Sequence, residues 1–247
     1  MRVGLFIPCY IDAFFSEVGI ATLELLERLG HEVVYPHDQT CCGQPMANIG
    51  FNADCAATEA LFVRNFSGFD YVIAPSGSCV HHVRGHFDAI EQTEEVKEVR
   101  ARTFELVEFL HDVLKVDAFP WARFPHRVGL HNSCGTLREL KHAKPSELLE
   151  PFFSKPMDLL SKVEGIEFVT PARPDECCGF GGSFCVTDEA VSAKMGYDRV
   201  HDFHRHGAEY IASADMSCLM HMKGVIERLK LPMKVIHIAQ ILNGGPL

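Results

Sequence analysis

Along this chain two kinds of apolar pattern take turns. Val3–Pro8, Glu32–Tyr35 and Tyr71–Ala74 are compact apolar runs and read as buried strands. Stretches of helical periodicity lie between them, near Phe14–Leu29, which ends at Gly30, and around Ala53–Phe66. This alternation predicts an α/β fold in which helices cover a parallel sheet.

The same order returns in the second half. Arg127–His131, Glu167–Thr170 and Glu209–Ala212 are the expected strands there. The segments that close each half also match, Glu105–Leu110 beside His237–Leu242, with apolar residues in corresponding places. Two similar βαβ-type lobes with parallel sheets are therefore expected, related as an internal repeat and spanning residues 1–118 and 119–247. Lys115–His126, which contains Pro120, Trp121 and Pro125, is the expected linker.

Cysteines repeat with the strands. In each half one cysteine follows the first strand, a Cys-Cys-Gly follows the second, and a lone cysteine follows the third. The two sets are Cys9, Cys41, Cys42 and Cys79, then Cys134, Cys177, Cys178 and Cys218. Loops at the carboxyl ends of parallel strands open on one edge of the sheet, so ligands distant in sequence converge there. Thiolates are soft ligands that suit iron–sulfur clusters or zinc, and four per half satisfies either. The adjacent pair favours a cluster, because neighbouring thiolates aim poorly at one small ion but can bind different irons. Gly43 and Gly179, each after a double cysteine, permit backbone close to a bulky cofactor.

With 247 residues, 47% of them hydrophobic, the chain can bury a full core without disulfides. Met1 leads straight into Arg2-Val-Gly-Leu-Phe-Ile-Pro8, which is unlike a signal peptide, so a cytoplasmic location with reduced thiols is expected. No apolar run approaches the roughly 18 residues that would span a bilayer. A net charge of −10 with scattered basic residues argues against nucleic acid as a partner.

Other residues attract attention. Cys55 and Cys185 break the repeat and are expected to be structural. His82 and His221, three residues after the last cysteine of each half, are the best non-cysteine candidates. His201, His204 and His206, before Gly207, read as a helix C-terminus and not as ligands.

These features resemble the cysteine-rich, or CCG, domain proteins, whose pattern is Cys, a long gap, Cys-Cys-Gly, a second long gap and Cys-x-x-Cys. The stretches that carry the likeness are Cys41-Cys-Gly-Gln-Pro45, Pro75-Ser-Gly-Ser-Cys79, Cys177-Cys-Gly-Phe-Gly-Gly-Ser-Phe184, Asp215-Met-Ser-Cys218 and His237-Ile-Ala-Gln240. The resemblance implies iron–sulfur binding and electron transfer in an oxidoreductase subunit. Within the family the closest likeness is to the iron–sulfur subunits of three-protein L-lactate oxidation systems. It implies a role in turning lactate into pyruvate, with lactate utilization B-like and C-like subunits as partners.

One departure stands out: Ser76 and Asp215 occupy the place of the first cysteine of the family's Cys-x-x-Cys. Four thiolates per half suit one ordinary 4Fe-4S cluster each; Ser76 and Asp215 then read as helix N-caps, with an oxygen ligand to an iron as the alternative role. Two other readings stand beside this one, a zinc-stabilised interaction module and a thiol–disulfide or heterodisulfide reductase-type subunit.

Overall fold

The computed structural model describes residues 1–245. Strands β1 (Arg2–Leu5), β2 (Glu32–Val34), β3 (Tyr71–Ala74) and β4 (Thr103–Glu105) form a parallel sheet in the order β2-β1-β3-β4. Strands β5 (Arg127–Leu130), β6 (Glu167–Val169), β7 (Tyr210–Ser213) and β8 (Lys234–His237) form a second, in the order β6-β5-β7-β8. Register repeats as well. Arg2 lies opposite Glu32 as Arg127 lies opposite Glu167, and Val3 opposite Tyr71 as Val128 opposite Tyr210. The expected α/β repeat is thus what the chain forms.

Several elements differ in detail from the sequence reading. The helix expected from Phe14 is two helices, Cys9–Phe14 and Ser16–Arg28, broken at Phe15, whose φ of −142° and ψ of 44° are not helical. The helix expected from Ala53 starts at Ala56, after a tighter turn over Asn52–Cys55. Strands β4 and β8 are additional. Each runs directly into the closing segment of its half, which is helical at Leu106–Glu108, continuing as a wider turn over Phe109–Val113, and at Ile238–Asn243.

These closing helices cross between the halves. Ile238–Asn243 packs on Ser16–Arg28, and the Leu106–Val113 segment packs on Lys155–Leu160. Arg28 Nη1 donates to the Asn243 carbonyl at 3.0 Å, and Asn243 Nδ2 donates to Glu24 Oε2 at 2.7 Å. One apolar core consequently runs through both sheets, from Val3, Leu5 and Ile73 to Val128, Ile211 and Ile236. The linker joins it. Lys115–His126 has no regular helix or strand, yet Val116, Phe119, Ala122 and Phe124 are buried, and Trp121 Nε1 donates to the Leu242 carbonyl at 2.9 Å.

The carboxyl ends of β3 and β7 meet across the halves. Asp215 sits at the N-cap of helix Met216–Leu229, where one carboxylate oxygen accepts from Ser217 N at 3.3 Å and Ser217 Oγ at 2.6 Å. Its other oxygen accepts from Ser78 N, at 3.0 Å, in the first turn of helix Gly77–His86. Ser76 has the backbone of an N-cap, but its hydroxyl makes no capping bond and instead lies 3.3 Å from Ser78 Oγ. Asp215 therefore caps both helices. Gly77 packs so tightly here that a Cβ on it would stand 2.1 Å from Thr136 Cγ2.

Candidate functional site

Each strand end delivers one part of a cysteine set. Cys9 opens the helix after β1, Cys41 and Cys42 lie in the loop after β2, and Cys79 lies in the first turn of the helix after β3. In the second half Cys134 follows β5, Cys177 and Cys178 lie in the loop after β6, and Cys218 lies in the first turn of the helix after β7. All ten cysteines are free thiols.

The structure brings together the members of each set. Cys9 Sγ and Cys41 Sγ are 3.7 Å apart, and thiol contacts continue from Cys41 to Cys42 and from Cys42 to Cys79. The second chain of contacts runs Cys134, Cys177, Cys178, Cys218. Cys42, Cys79, Cys178 and Cys218 are buried, whereas Cys9, Cys41 and Cys177 are half-buried and Cys134 is exposed. Each set thus reaches from the interior to the surface.

Backbone amides point at the sulfurs. Gly43 N donates to Cys41 Sγ and Gly179 N to Cys177 Sγ, both at 3.4 Å, and Phe180 N donates to Cys178 Sγ at 3.5 Å. Both glycines have left-handed backbone, with φ of 91° at Gly43 and 89° at Gly179, a conformation that costs other residues energy. Hydrogen bonds from Cys42 and Cys9 hold the Cys41 thiol far below the usual thiol range, and those from Cys134 and Cys178 do the same for Cys177. Cys9 and Cys134 are raised in turn, by the bonds they give to Cys41 and Cys177. One sulfur in each set is therefore disposed to carry negative charge. This donor chemistry, soft and clustered, fits a thiolate-held metal or iron–sulfur group.

Tyr10 and Phe180 connect the sets. Their rings stand edge to face with centroids 5.9 Å apart, one residue after Cys9 and two after Cys178. Burial, followed by the neighbouring Cys9, raises the Tyr10 hydroxyl pKa.

The two histidines singled out by spacing have different places. His82 is buried beside Cys41 and Gly43, its Nε2 has no hydrogen-bond partner among the described residues, and burial pushes its pKa down to about 4. His221 Nε2 instead faces the Ser192 carbonyl at 3.3 Å. His201, His204 and His206 lie at the end of helix Glu189–Arg205, and His206 Nδ1 is 2.8 Å from the Asp202 carbonyl. Cys55 is buried with its thiol 3.6 Å from the Gly43 carbonyl, and Cys185 donates to the Gly182 carbonyl at 3.1 Å.

His131, which the sequence reading treats only as the end of a strand, stands at the second set. A ring nitrogen of His131 and the sulfurs of Cys178 and Cys218 lie within 4.8 Å of one another, and all three residues are buried.

The model of the cysteine-rich domain family, CCG, matches residues 3–84 and 128–223, one match in each half. Lactate utilization protein A of Geobacillus thermodenitrificans is 40% identical over 250 residues, covering 98% of this chain and 99% of that one. The protein of the same name from Bacillus subtilis is 37% identical over 247 residues, with 98% and 99% covered. Among solved structures, a hypothetical protein from Helicobacter pylori superposes on 98% of this chain and 48% of its own, with a TM-score of 0.61 and 11% identity. That likeness is one of fold. Among the described residues no helix is long and apolar enough to cross a membrane.

Proposed function

Because the chain belongs to the family of cysteine-rich (CCG) domain proteins, we propose that it is the iron–sulfur electron-transfer subunit of an L-lactate oxidation system. The system turns lactate into pyruvate in the cytoplasm, with lactate utilization B-like and C-like subunits as partners. One observation carries the reading: two four-thiol sets at equivalent strand ends, in a chain 40% identical to a Lactate utilization protein A over nearly its whole length.

Residues 1–118 and 119–247 each hold one set, and each set is assigned one 4Fe-4S cluster. A bound cluster supplies a one-electron store. Cys9, Cys41, Cys42 and Cys79, and Cys134, Cys177, Cys178 and Cys218, supply the thiolates. The amides of Gly43, Gly179 and Phe180 stabilise negative charge on the sulfurs by hydrogen bonding. Tyr10 and Phe180, in edge-to-face contact, link the loops that carry Cys9 and Cys178. Exposed Cys134 leaves the second set open to a partner. No residue of this chain is assigned the removal of hydrogen from lactate, which falls to a partner subunit.

A specific distance favours a second reading. The 3.7 Å between Cys9 Sγ and Cys41 Sγ is close to the ~3.8 Å edge of a tetrahedral zinc–thiolate site, as in a zinc-stabilised interaction module. Anaerobic mixing of the protein with its B-like and C-like subunits and L-lactate tests the first reading. Bleaching of the visible iron–sulfur absorption upon lactate addition is expected; no bleaching with lactate, but bleaching with another reductant, overturns the substrate assignment.

A further inference from the structure

The repeat allows each residue of one site to be compared with its counterpart in the other. Phe6 N donates to the Ile73 carbonyl at 2.9 Å, and His131 N donates to the Ala212 carbonyl at 2.8 Å, so Phe6 and His131 occupy the same place one residue beyond β1 and β5. In the first half Phe6 belongs to an aromatic trio, 5.0 Å from Phe62, which is 4.6 Å from Phe66. The second half places His131, Arg199 and Phe203 in those positions. Arg199 Nε is 3.2 Å from His131 Nδ1, and the Arg199 guanidinium stacks 4.1 Å from the Phe203 ring centre. Two apolar rings have been exchanged together for an imidazole and a guanidinium.

A buried arginine is costly unless its donors are used. Arg199, 0% exposed, uses them: Nη1 donates to the Arg173 carbonyl at 2.6 Å and Nη2 to the Pro174 carbonyl at 2.9 Å, which leaves Nε for His131. A guanidinium nitrogen can only donate. Nδ1 of His131 must therefore accept, and a neutral imidazole that accepts at Nδ1 carries its proton on Nε2. Nε2 is buried with no hydrogen-bond partner among the described residues, and a ring nitrogen of His131 lies within 4.8 Å of the sulfurs of Cys178 and Cys218.

The alternative is that His131 ligates a metal. Metal-binding histidines almost always donate their other ring N–H to a carboxylate, a carbonyl or water. Here the other nitrogen receives a hydrogen bond from a cation, the reverse arrangement.

We propose that His131, oriented by Arg199, is a positioning residue that donates an Nε2–H hydrogen bond to the cysteine sulfurs of the second site and sets that site at a higher reduction potential than a phenylalanine would. The inference rests on the assignment of an iron–sulfur cluster to the second cysteine set. Reduction adds one electron and one negative charge, delivered by a partner subunit. Hydrogen bonds to sulfur stabilise the more negative form and so raise the potential. No proton is transferred in this step.

Anaerobically purified full-length protein, titrated under electron paramagnetic resonance, tests the proposal. His131→Phe copies the first site and is expected to shift the one-electron equilibrium of one cluster at least tenfold toward oxidation, about 59 mV, without moving the other. His131→Gln, whose amide keeps an N–H, is expected to recover part of the shift. Pulsed resonance on wild-type protein labelled with ¹⁵N-histidine needs no variant to fold, and a weak nitrogen coupling with an exchangeable proton is expected. Unchanged potentials in His131→Phe with full iron and sulfide, or the strong coupling of a directly bound nitrogen, overturn this inference alone. Wild-type protein without iron and sulfide overturns it together with the cluster assignment.

Discussion

Asp215 and Ser78 are 137 residues apart in the chain, yet the Asp215 carboxylate accepts the Ser78 amide at 3.0 Å. One carboxylate thus caps the helix of its own half and that of the other, beside Cys218 and Cys79. An N-cap side chain contributes about 1 kcal/mol. Asp215→Ala is accordingly expected to lower stability by about 2 kcal/mol in chemical denaturation, and Ser76→Ala by no more than about 0.5 kcal/mol. Equal losses from the two substitutions would contradict the shared cap.

Gly77 should be similarly intolerant. A Cβ there would meet Thr136 Cγ2 at 2.1 Å across the junction between halves, whereas at Gly50, with φ of 91°, it would meet nothing within 4 Å. Gly77→Ala is expected to cost about 1–3 kcal/mol from overpacking and to loosen metal binding at Cys79. Gly50→Ala should cost only the backbone strain of about 1–2 kcal/mol and leave metal content intact, as measured by denaturation and metal analysis.

Acid should destabilise the protein below pH 6.5. Burial pushes His131 and His142 down to about 3 and His237 to about 4. In the unfolded chain these rings take up protons near their ordinary pKa of about 6.5, so between there and pH 4 the unfolded state binds more protons. Stability is full above 6.5 and falls with pH, by about 1.4 kcal/mol per unit for each ring. Glu105 works in the opposite sense. Burial raises its pKa, so the stability it contributes is present at low pH and is lost as pH rises above 4.5. Glu105→Gln should therefore steepen the acid loss, read as denaturation midpoint against pH.

Much of this was legible in the chain. The cysteine sets could be read because thiols are rare and the strand order repeats around them. Strands β4 and β8 could not, since Thr103–Glu105 and Lys234–His237 merge with the apolar residues of the helices that follow and show no period of their own. Ser76 and Asp215 look alike as helix caps, and only packing between the halves decides that Asp215 serves both. Taken alone in the sequence, His131 is an ordinary strand-end histidine. It stands out once Arg2-Val-Gly-Leu-Phe-Ile-Pro-Cys9 is laid over Arg127-Val-Gly-Leu-His-Asn-Ser-Cys134, an alignment that places it against Phe6.

Cysteine substitutions separate ligands from bystanders. With one cluster proposed per set, Cys42→Ala and Cys178→Ala are each expected to remove about half of the bound iron and sulfide. Cys55→Ala and Cys185→Ala should retain all of it, since their thiols face the carbonyls of Gly43 and Gly182. Loss of iron from Cys55→Ala would mean that the first set has been drawn too narrowly.

The central claim, that the two cysteine sets hold iron–sulfur clusters, is tested most directly by metal and acid-labile sulfide analysis of protein purified without oxygen. Two four-iron clusters predict iron and sulfide in equal amounts, about eight of each per chain, with a resonance signal upon reduction. Zinc in stoichiometric amount with no sulfide would contradict it.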